Sequence, residues 1–550
     1  MIDMTWKVLL FVKDFTGRGG DCFYWLEDGS IVDTSAQNVV SYDGLVVCHD
    51  FWIIRDAIFD QVKDLPKMIV DLDEFRISIS GNPEDRQSRE KVDITKELIQ
   101  YGASPQTCST YRRMFHRGVE FDIDIACEAA KAMEKMYLSL HERATKNGEI
   151  ERFIDVEVPV YSLLQRSMSS GININADGLS KKRRESEHDY FLCLKEYSAK
   201  HDMPLETPTL DAVEDRLRTS GFDIGGVSTE YVLEFVPHDD DFGCDTLALR
   251  DFDVAKRVLS SLTLSNGQTR PIIDVFGSRT SRIHLRSPSL QNMPKKYRTI
   301  IAASAGAKLC YVDFDQYEVG IMAALSGDPE LARLYGAGDM YELFATTHLG
   351  LEGNRKAAKQ LFLSYAFGMS RAALTDAAVS LGTERKQAKA AFRLFSTYED
   401  WKKTIWADFY RENRVGSIQG NYFQRVKTGQ LSGKEQRSAV SQVVQGTASL
   451  IFKKALLEVS RIEDVAVVLP MHDALLFEHR LSGTPEKVVA AFERIMTEQL
   501  KGLVKGKASI SQFTLNPEPP VNRQALPNPP HIAIDAATVT AENSLDLQLT

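Results

Sequence analysis

The sequence has no run of about 18 apolar residues, so no segment reads as a bilayer-crossing helix. It has no C-x-x-C pair; its seven cysteines are scattered at 22, 48, 108, 127, 193, 244 and 310. That argues against a zinc site or a disulfide framework and points to a reducing compartment. It has no internal repeat. It has no excess of positive charge either, with a formal net charge of −10. A negative chain is a poor general binder of polyanions, but whole-chain charge does not decide the matter, because nucleic acid needs only a local basic groove. The opening MIDMTWKVLLFVKDF has Asp3 ahead of a short apolar run and a charge soon after it, the form of a first strand and not of a signal peptide. The expected location is cytoplasmic, with no membrane partner.

What is present is ordinary globular material. The chain has 550 residues, 43% hydrophobic and 26% charged, enough for about three to five domains with their own cores. Residues 1–75 read as α/β, with strands at VLLFV (8–12), CFYWLE (22–27), GLVVC (44–48) and MIVDLD (68–73) and a helix over 52–62. Residues 120–149 and 155–200 read as helical, with a turn at 173–178. Residues 200–265 are mixed, with a loop at HDDDFG (238–243), and 266–330 carry strands and turns. Residues 330–410 are almost wholly helical. A hairpin is expected around Gly420-Asn421, a long helix over about 434–460, and a bent strand pair at AVVLPMHDALLFE (466–478). The tail from Asn516, rich in Pro, Asn and Ala, is expected to be disordered.

One stretch supplies local positive charge. Arg270, Arg279, Arg282, Arg286, Lys295, Lys296 and Arg298 are opposed within it only by Asp274, with Ser, Thr, Gln and Asn interleaved. Such a mixture suits hydrogen bonding to sugars, phosphates and base edges, although a basic run is more often a solvated surface.

Two carboxylates sit where chemistry could use them. KLCYVDFD delivers Asp313 at the end of an apolar strand, and VVLPMHD delivers Asp473 at a turn after a second one. Nucleotidyl transfer requires two divalent ions about 3.5–4 Å apart, and hence at least two carboxylates in a shared cleft. Either acid alone reads more simply as a helix cap or a solvated turn. A third feature is the helix GNRKAAKQLFLSYAFG (353–368). Arg355, Lys359, Leu363 and Phe367 recur every fourth residue and form one stripe, with two cations for a triphosphate and then an apolar face for a base.

Five segments in order, from about 155 to 515, resemble family A (bacterial polymerase I-like) DNA polymerases. They are SRIHLRSPSLQNMP (281–294), YVDFDQYEVGIMAALSGD (311–328), residues 355–368, EQRSAVSQVVQGTASLIFKKAL (435–456) and MHDALLFE (471–478). The resemblance implies an α/β and α+β multidomain chain. Its right-hand polymerase at 151–515 would have a thumb at about 155–265, a palm at about 266–330 and 435–515, and fingers at about 331–434. A 3′–5′ exonuclease-like, RNase H-like domain at 1–150 would precede it and a disordered tail at 516–550 follow.

The same resemblance implies roles. Asp313 and Asp473, with the Phe314 carbonyl, would hold two Mg2+ ions, for which Mn2+ can substitute. Arg355 and Lys359 would bind the triphosphate, and Lys359 would protonate the leaving pyrophosphate. Leu363, Phe367, Glu318 and Gln316 would line the dNTP pocket, with Glu318 excluding a 2′-hydroxyl. Arg282, Gln291, Asn292, Arg437, Ser441, Gln445 and His472 would contact primer-template DNA. Departures from the family pattern are Asp315 for Ser, Gly320 for Arg, Leu363 for Phe or Tyr, Phe367 for Tyr, Ser441 for Asn and Ala474 for Glu. None removes a primary metal aspartate. Two other readings stay open: a single-subunit RNA polymerase, against which Glu318 argues, and a non-catalytic nucleic-acid clamp, against which the retained Asp313, Asp473, Arg355 and Lys359 argue.

In the N-terminal domain, FVKDF (11–15) puts Val12 and Asp14 where the exonuclease pattern has its D-x-E pair. Ile54 stands where a second-motif Asp is expected, and Asp124 has Glu120, not Tyr, four residues before it. The expectation is an exonuclease-type domain without its metal cluster. The alternative is that Asp14, Asp50, Asp71 and Asp124 regroup. The short chain without a 5′-nuclease domain resembles a phage replicative enzyme, located in the host cytoplasm, with bacterial repair as the other possibility. The final SLDLQLT (544–550) weakly resembles a sliding-clamp-binding peptide, which would imply a replication accessory protein as partner.

Overall fold

The computed structural model describes residues 5–515, apart from 83, 86–88, 90, 91, 221–228, 230–232 and 234–240. The tail from 516, with its terminal SLDLQLT, lies outside the described residues, as does part of the loop expected at 238–243.

The N-terminal apolar runs form one mixed five-stranded sheet. β1 (Trp6–Val12) pairs antiparallel with β2 (Cys22–Glu27), which pairs antiparallel with β3 (Ser30–Thr34). On its other side β1 runs parallel to β4 (Leu45–Cys48), and β4 parallel to β5 (Ile69–Asp71), giving the order β3-β2-β1-β4-β5. β4 and β5 are buried at every position, as parallel strands covered on both faces must be. β3 is missing from the sequence reading because its SIVDT is exposed edge strand and carries no apolar run. The signal that could have found it is Asp28-Gly29. Both residues take positive φ (46° and 73°), the Asp-Gly requirement of a two-residue hairpin turn. The helix Ile123–Asn147 covers the sheet with Ala126, Ala129, Ala130, Met133, Tyr137, Leu140 and Ala144, a stripe at three- and four-residue spacing.

A second, central sheet of four antiparallel strands is built from the second half of the chain, in the order 466–471, 474–479, 308–314, 508–510. Helix Thr484–Gln499 packs on it, and Gly433–Val459 packs on that helix and on Tyr317–Ser326. Gly433–Val459 is buried over most of its length, and a capping box of Ser432 and Glu435 starts it. Helices fill 329–412. The long helices Ala176–His201 and Phe242–Ser261 pack on each other around a separate small core of Tyr190, Leu194, Tyr197, Phe242 and Leu249. Among the described residues no helix is long and apolar enough to cross a membrane.

Two local expectations need correcting. Residues 173–178 are not simply a turn. Ile172–Asn173 pairs with Gln268–Thr269, and the helix already starts at Ala176, with Asn175 accepting from the Gly178 N–H. The hairpin turn is also two residues earlier than Gly420-Asn421. The strands are Arg414–Ser417 and Gly420–Gln424, so Ile418-Gln419 turns the chain. Gly420 and Asn421, both at positive φ, open the second strand, where the Glu149 carboxylate accepts the Asn421 and Tyr422 N–H groups.

Gly320, one of the departures noted above, sits where a side chain has little room. A Cβ there would lie 2.6 Å from the Met496 methyl and 2.8 Å from the Tyr335 ring, leaving no room for an arginine. Gly320→Ala gains about 1 kcal/mol of helix propensity but overpacks the core by about 1–3 kcal/mol. A net loss of stability in thermal melts is the expected outcome; a stabilised variant would contradict the packing.

Candidate active site

Strand register brings the two aspartates together. In the central sheet Asp313 lies opposite Ala474, and Met471 also pairs with Ala474 across the turn His472-Asp473. Opposed residues in such ladders have Cα atoms about 4.5–5.5 Å apart, so Asp473, next to Ala474, sits at the same end of the sheet as Asp313. His472 makes the turn with φ +56°. Both aspartates are half-buried. Beneath them Tyr317 donates to the Ala448 carbonyl at 2.6 Å. Burial pushes its phenol well above the usual range, and the nearby charges of Asp473 and Glu318 push it the same way. Ala474 is buried between the paired strands. Asp315, where the family has Ser, is engaged on the other side: its Oδ1 accepts from Ser509 Oγ at 2.8 Å, and its N–H binds the Lys507 carbonyl.

Among the described residues no group of three or more His, Cys, Asp or Glu side chains is placed to hold a metal. Two neighbouring carboxylates and the Phe314 carbonyl nevertheless suit Mg2+, which keeps several waters and is bound by one or two carboxylates plus substrate phosphates. The donor set fits.

The helix Tyr317–Ser326 opens with Gln316 at φ +53°. Gln316 donates to the Gly338 carbonyl at 3.0 Å and accepts from the Met340 N–H at 2.7 Å, so its amide locks the 338–340 loop. Two residues on, Glu318 accepts from Arg282 Nη2 at 3.2 Å, with both side chains largely buried. On the helix Arg355–Ala366, Arg355 Nε binds Asp339 Oδ2 at 2.6 Å, and its guanidinium lies over the Tyr341 ring. Lys359 and Leu363 are half-buried on the same stripe, whereas Phe367, at the helix end, lies in the core. Tyr398 and Lys402 brace that end by donating to the Ala366 and Tyr365 carbonyls.

The residues expected to touch DNA are placed unevenly. Arg437 packs its stem against Gly368. Ser441 donates to Gln445 Oε1 at 2.7 Å inside the buried helix, and Gln445 Nε2 has no partner. Asn292 binds Ser289 Oγ. Gln291 is buried, with its amide committed to Leu285 N–H and to the Ile283 and Pro470 carbonyls. It therefore ties the 283–292 segment to the strand that delivers Asp473. The basic run is not opposed by Asp274 alone: Arg286 binds Asp274, but Arg282 finds Glu318 and Lys296 finds Asp189 at 2.7 Å.

The N-terminal carboxylates stay apart in role. Asp14 closes a loop on Thr16 Oγ1 and the Gly19 N–H, both at 2.8 Å. Asp50 binds His49 and Trp52, and Asp124 is exposed in the first helical turn. Asp71 accepts from Phe51, Asp73 and Glu74 N–H groups and from Tyr161. Burial, with help from Asp50 and Asp73, raises its pKa from 3.8 to about 6. The folded chain then holds this proton more tightly than the unfolded one. Stability should fall as pH rises between about 4 and 6, by up to about 3 kcal/mol. Melts across that range should show the fall in the native chain and a flatter profile in Asp71→Asn; identical profiles would contradict it.

Residues 251–512 match the sequence model of DNA polymerase family A. Over those residues the chain is similar to family A DNA polymerases. It is 24% identical over 401 residues to DNA polymerase I of Treponema pallidum (strain Nichols), a match covering 66% of this chain and 40% of that protein. It is 29% identical over 255 residues to DNA polymerase theta of Caenorhabditis elegans, covering 43% of this chain and 15% of that one. The chain spans less than half the length of these relatives. Among solved structures, the POL domain of Pol1 from M. smegmatis, in complex with DNA primer-template and dNTP, superposes with a TM-score of 0.69 over 92% of this chain and 94% of that one. At 16% identity that likeness is one of fold. The matched residues take in Asp313, Glu318, Arg355, Lys359, Gln445 and Asp473, while the N-terminal sheet lies outside them.

Proposed function

We propose that the chain is a DNA-directed DNA polymerase that adds dNTPs to a primer 3′-hydroxyl along a template. The observation that carries this is the register that sets Asp313 beside the His472-Asp473 turn, within a family A domain. Two Mg2+ ions, held by Asp313, Asp473 and the Phe314 carbonyl, would supply the Lewis acidity for hydroxyl attack and pyrophosphate departure. Every other task falls to side chains. Arg355 would exchange Asp339 for two triphosphate oxygens, a bidentate partner for its guanidinium. Lys359, one turn on, would neutralise the same phosphates and give its proton to the leaving pyrophosphate. Glu318 would close the sugar pocket against a 2′-hydroxyl, and Leu363 and Phe367 would form the apolar wall behind the base. Arg282, Asn292, Arg437 and His472 would follow the primer-template duplex, whereas the buried Gln291, Ser441 and Gln445 would support the strand and helix beneath it. The central sheet is then the palm, 331–434 the fingers, and the pair Ala176–His201 and Phe242–Ser261 the thumb. Primer extension with Mg2+ tests the reading, and dNTPs against rNTPs in that assay separate it from an RNA polymerase.

The N-terminal unit is read as an exonuclease-type domain that serves as a scaffold. The sheet order β3-β2-β1-β4-β5, with three antiparallel and then parallel strands, supports the RNase H-like part of that reading. Asp14, Asp50 and Asp71 each spend carboxylate oxygens on hydrogen bonds within the domain, and Asp124 lies exposed in a helical turn, which supports the inactive part. No trimming of a mismatched primer is expected with Mg2+ or Mn2+ in an Asp313→Asn background. Trimming that vanishes in Asp14→Ala would overturn the assignment.

A further inference from the structure

Four charged side chains are buried together where the N-terminal unit meets the central sheet. Glu149, Arg152, Glu157 and Lys453 are each at most 4% exposed. Arg152 binds Glu149 at 2.9 Å, binds Glu157, and donates to the Ser78 carbonyl of the N-terminal unit at 2.7 Å. Lys453, on the long buried helix, donates to Glu157 Oε2 at 2.6 Å. Two cations and two anions balance. Taking four charges out of water is nevertheless expensive, and apolar residues of similar size often stabilise a core as well or better. The cluster therefore calls for a role beyond stability.

Its contacts supply one. Ser281 Oγ donates to Glu157 Oε1 at 3.2 Å and is also bound by Lys453 Nζ. Ser281 is held at φ +67°, a left-handed backbone that a serine adopts only when its surroundings impose it. The next residue is Arg282. Its N–H binds Ser278 Oγ, its carbonyl accepts the Gly277 N–H, and its guanidinium binds Glu318. Contact is continuous from Ser78, through Arg152, Glu157, Lys453 and Ser281, to the Arg282–Glu318 pair.

We infer that Glu157 and Lys453 are positioning residues for sugar selection: by fixing the backbone at Ser281 they aim Arg282, and Arg282 holds Glu318 where it meets the nucleotide sugar. The inference rests on the polymerase reading and deepens it. It makes the N-terminal unit a working support of the nucleotide pocket through the Arg152–Ser78 contact.

The test is single-nucleotide incorporation by the full chain, reading the ratio of kcat/KM for a dNTP over its rNTP. Ser281→Ala removes the link with one atom, and the paired change Lys453→Met with Glu157→Gln removes both charges without stranding either. Each is expected to lower the ratio by about fivefold or more, since a hydrogen bond to a charged group is at stake. In a Glu318→Ala background the same changes should add less than about twofold, because coupled residues are not additive. An unchanged ratio with only a lower melting temperature would mean a merely structural cluster and overturn the inference. So would a full, additive loss in the Glu318→Ala background. Should the paired variant fail to fold, Ser281→Ala decides alone. A wild-type chain that does not extend a primer refutes the polymerase reading itself, whereas an active one with unaffected selectivity refutes only this coupling.

Discussion

Asp313→Asn and Asp473→Asn are each expected to slow primer extension by at least about a thousandfold while leaving primer-template affinity within about threefold. An amide keeps the shape of the carboxylate but gives up the charge that holds a divalent ion. An ion worth several kcal/mol of transition-state stabilisation, at about 1.4 kcal/mol per factor of ten, sets the scale. DNA affinity comes chiefly from cations on phosphates, so removing an anion does not weaken it. Asp315→Asn is the control. Its carboxylate is engaged by Ser509 on the neighbouring edge strand, and a loss below about tenfold is expected. Single-turnover extension and fluorescence anisotropy measure the two quantities. Near-normal turnover in either Asp313→Asn or Asp473→Asn would remove the catalytic assignment.

Lys359→Ala carries the second large effect, a fall in kcat of about 10²–10⁴-fold, the usual worth of a positioned general acid. Arg355→Ala should act differently, mainly by raising KM for the nucleotide, because it loses a binding contact that it must first release from Asp339. Lys359→Arg separates charge from proton donation. A guanidinium does not give up its proton in this range, so KM should largely recover and kcat should not. Full recovery of kcat by arginine would assign Lys359 to electrostatics alone.

Much of this site was legible from local pattern. The strand carrying Asp313 and the hairpin around Asp473 are short apolar runs ending in an acid, and the Arg355 stripe repeats every fourth residue, so period and polarity locate them. What was not legible depends on distant partners. Glu157 and Lys453 are 296 positions apart, and a charged residue in isolation reads as surface. Gln291 sits in a polar segment suited to DNA, yet its amide is turned inward to hold Pro470. Gly320 looked like a loss relative to the family until Met496 and Tyr335 were seen to fill the space. The cations of 270–298 seemed almost unopposed because Glu318 and Asp189 come from other elements. Edge strand β3 was missed for the opposite reason: it buries too little to leave a pattern.

Extension of a labelled primer on a longer template, with Mg2+ and four dNTPs, tests the central claim most directly. The expected result is template-encoded, full-length product from the native chain and none from Asp313→Asn under the same conditions. A native chain that binds the primer-template but adds no nucleotide, with Mg2+ or with Mn2+, would contradict it.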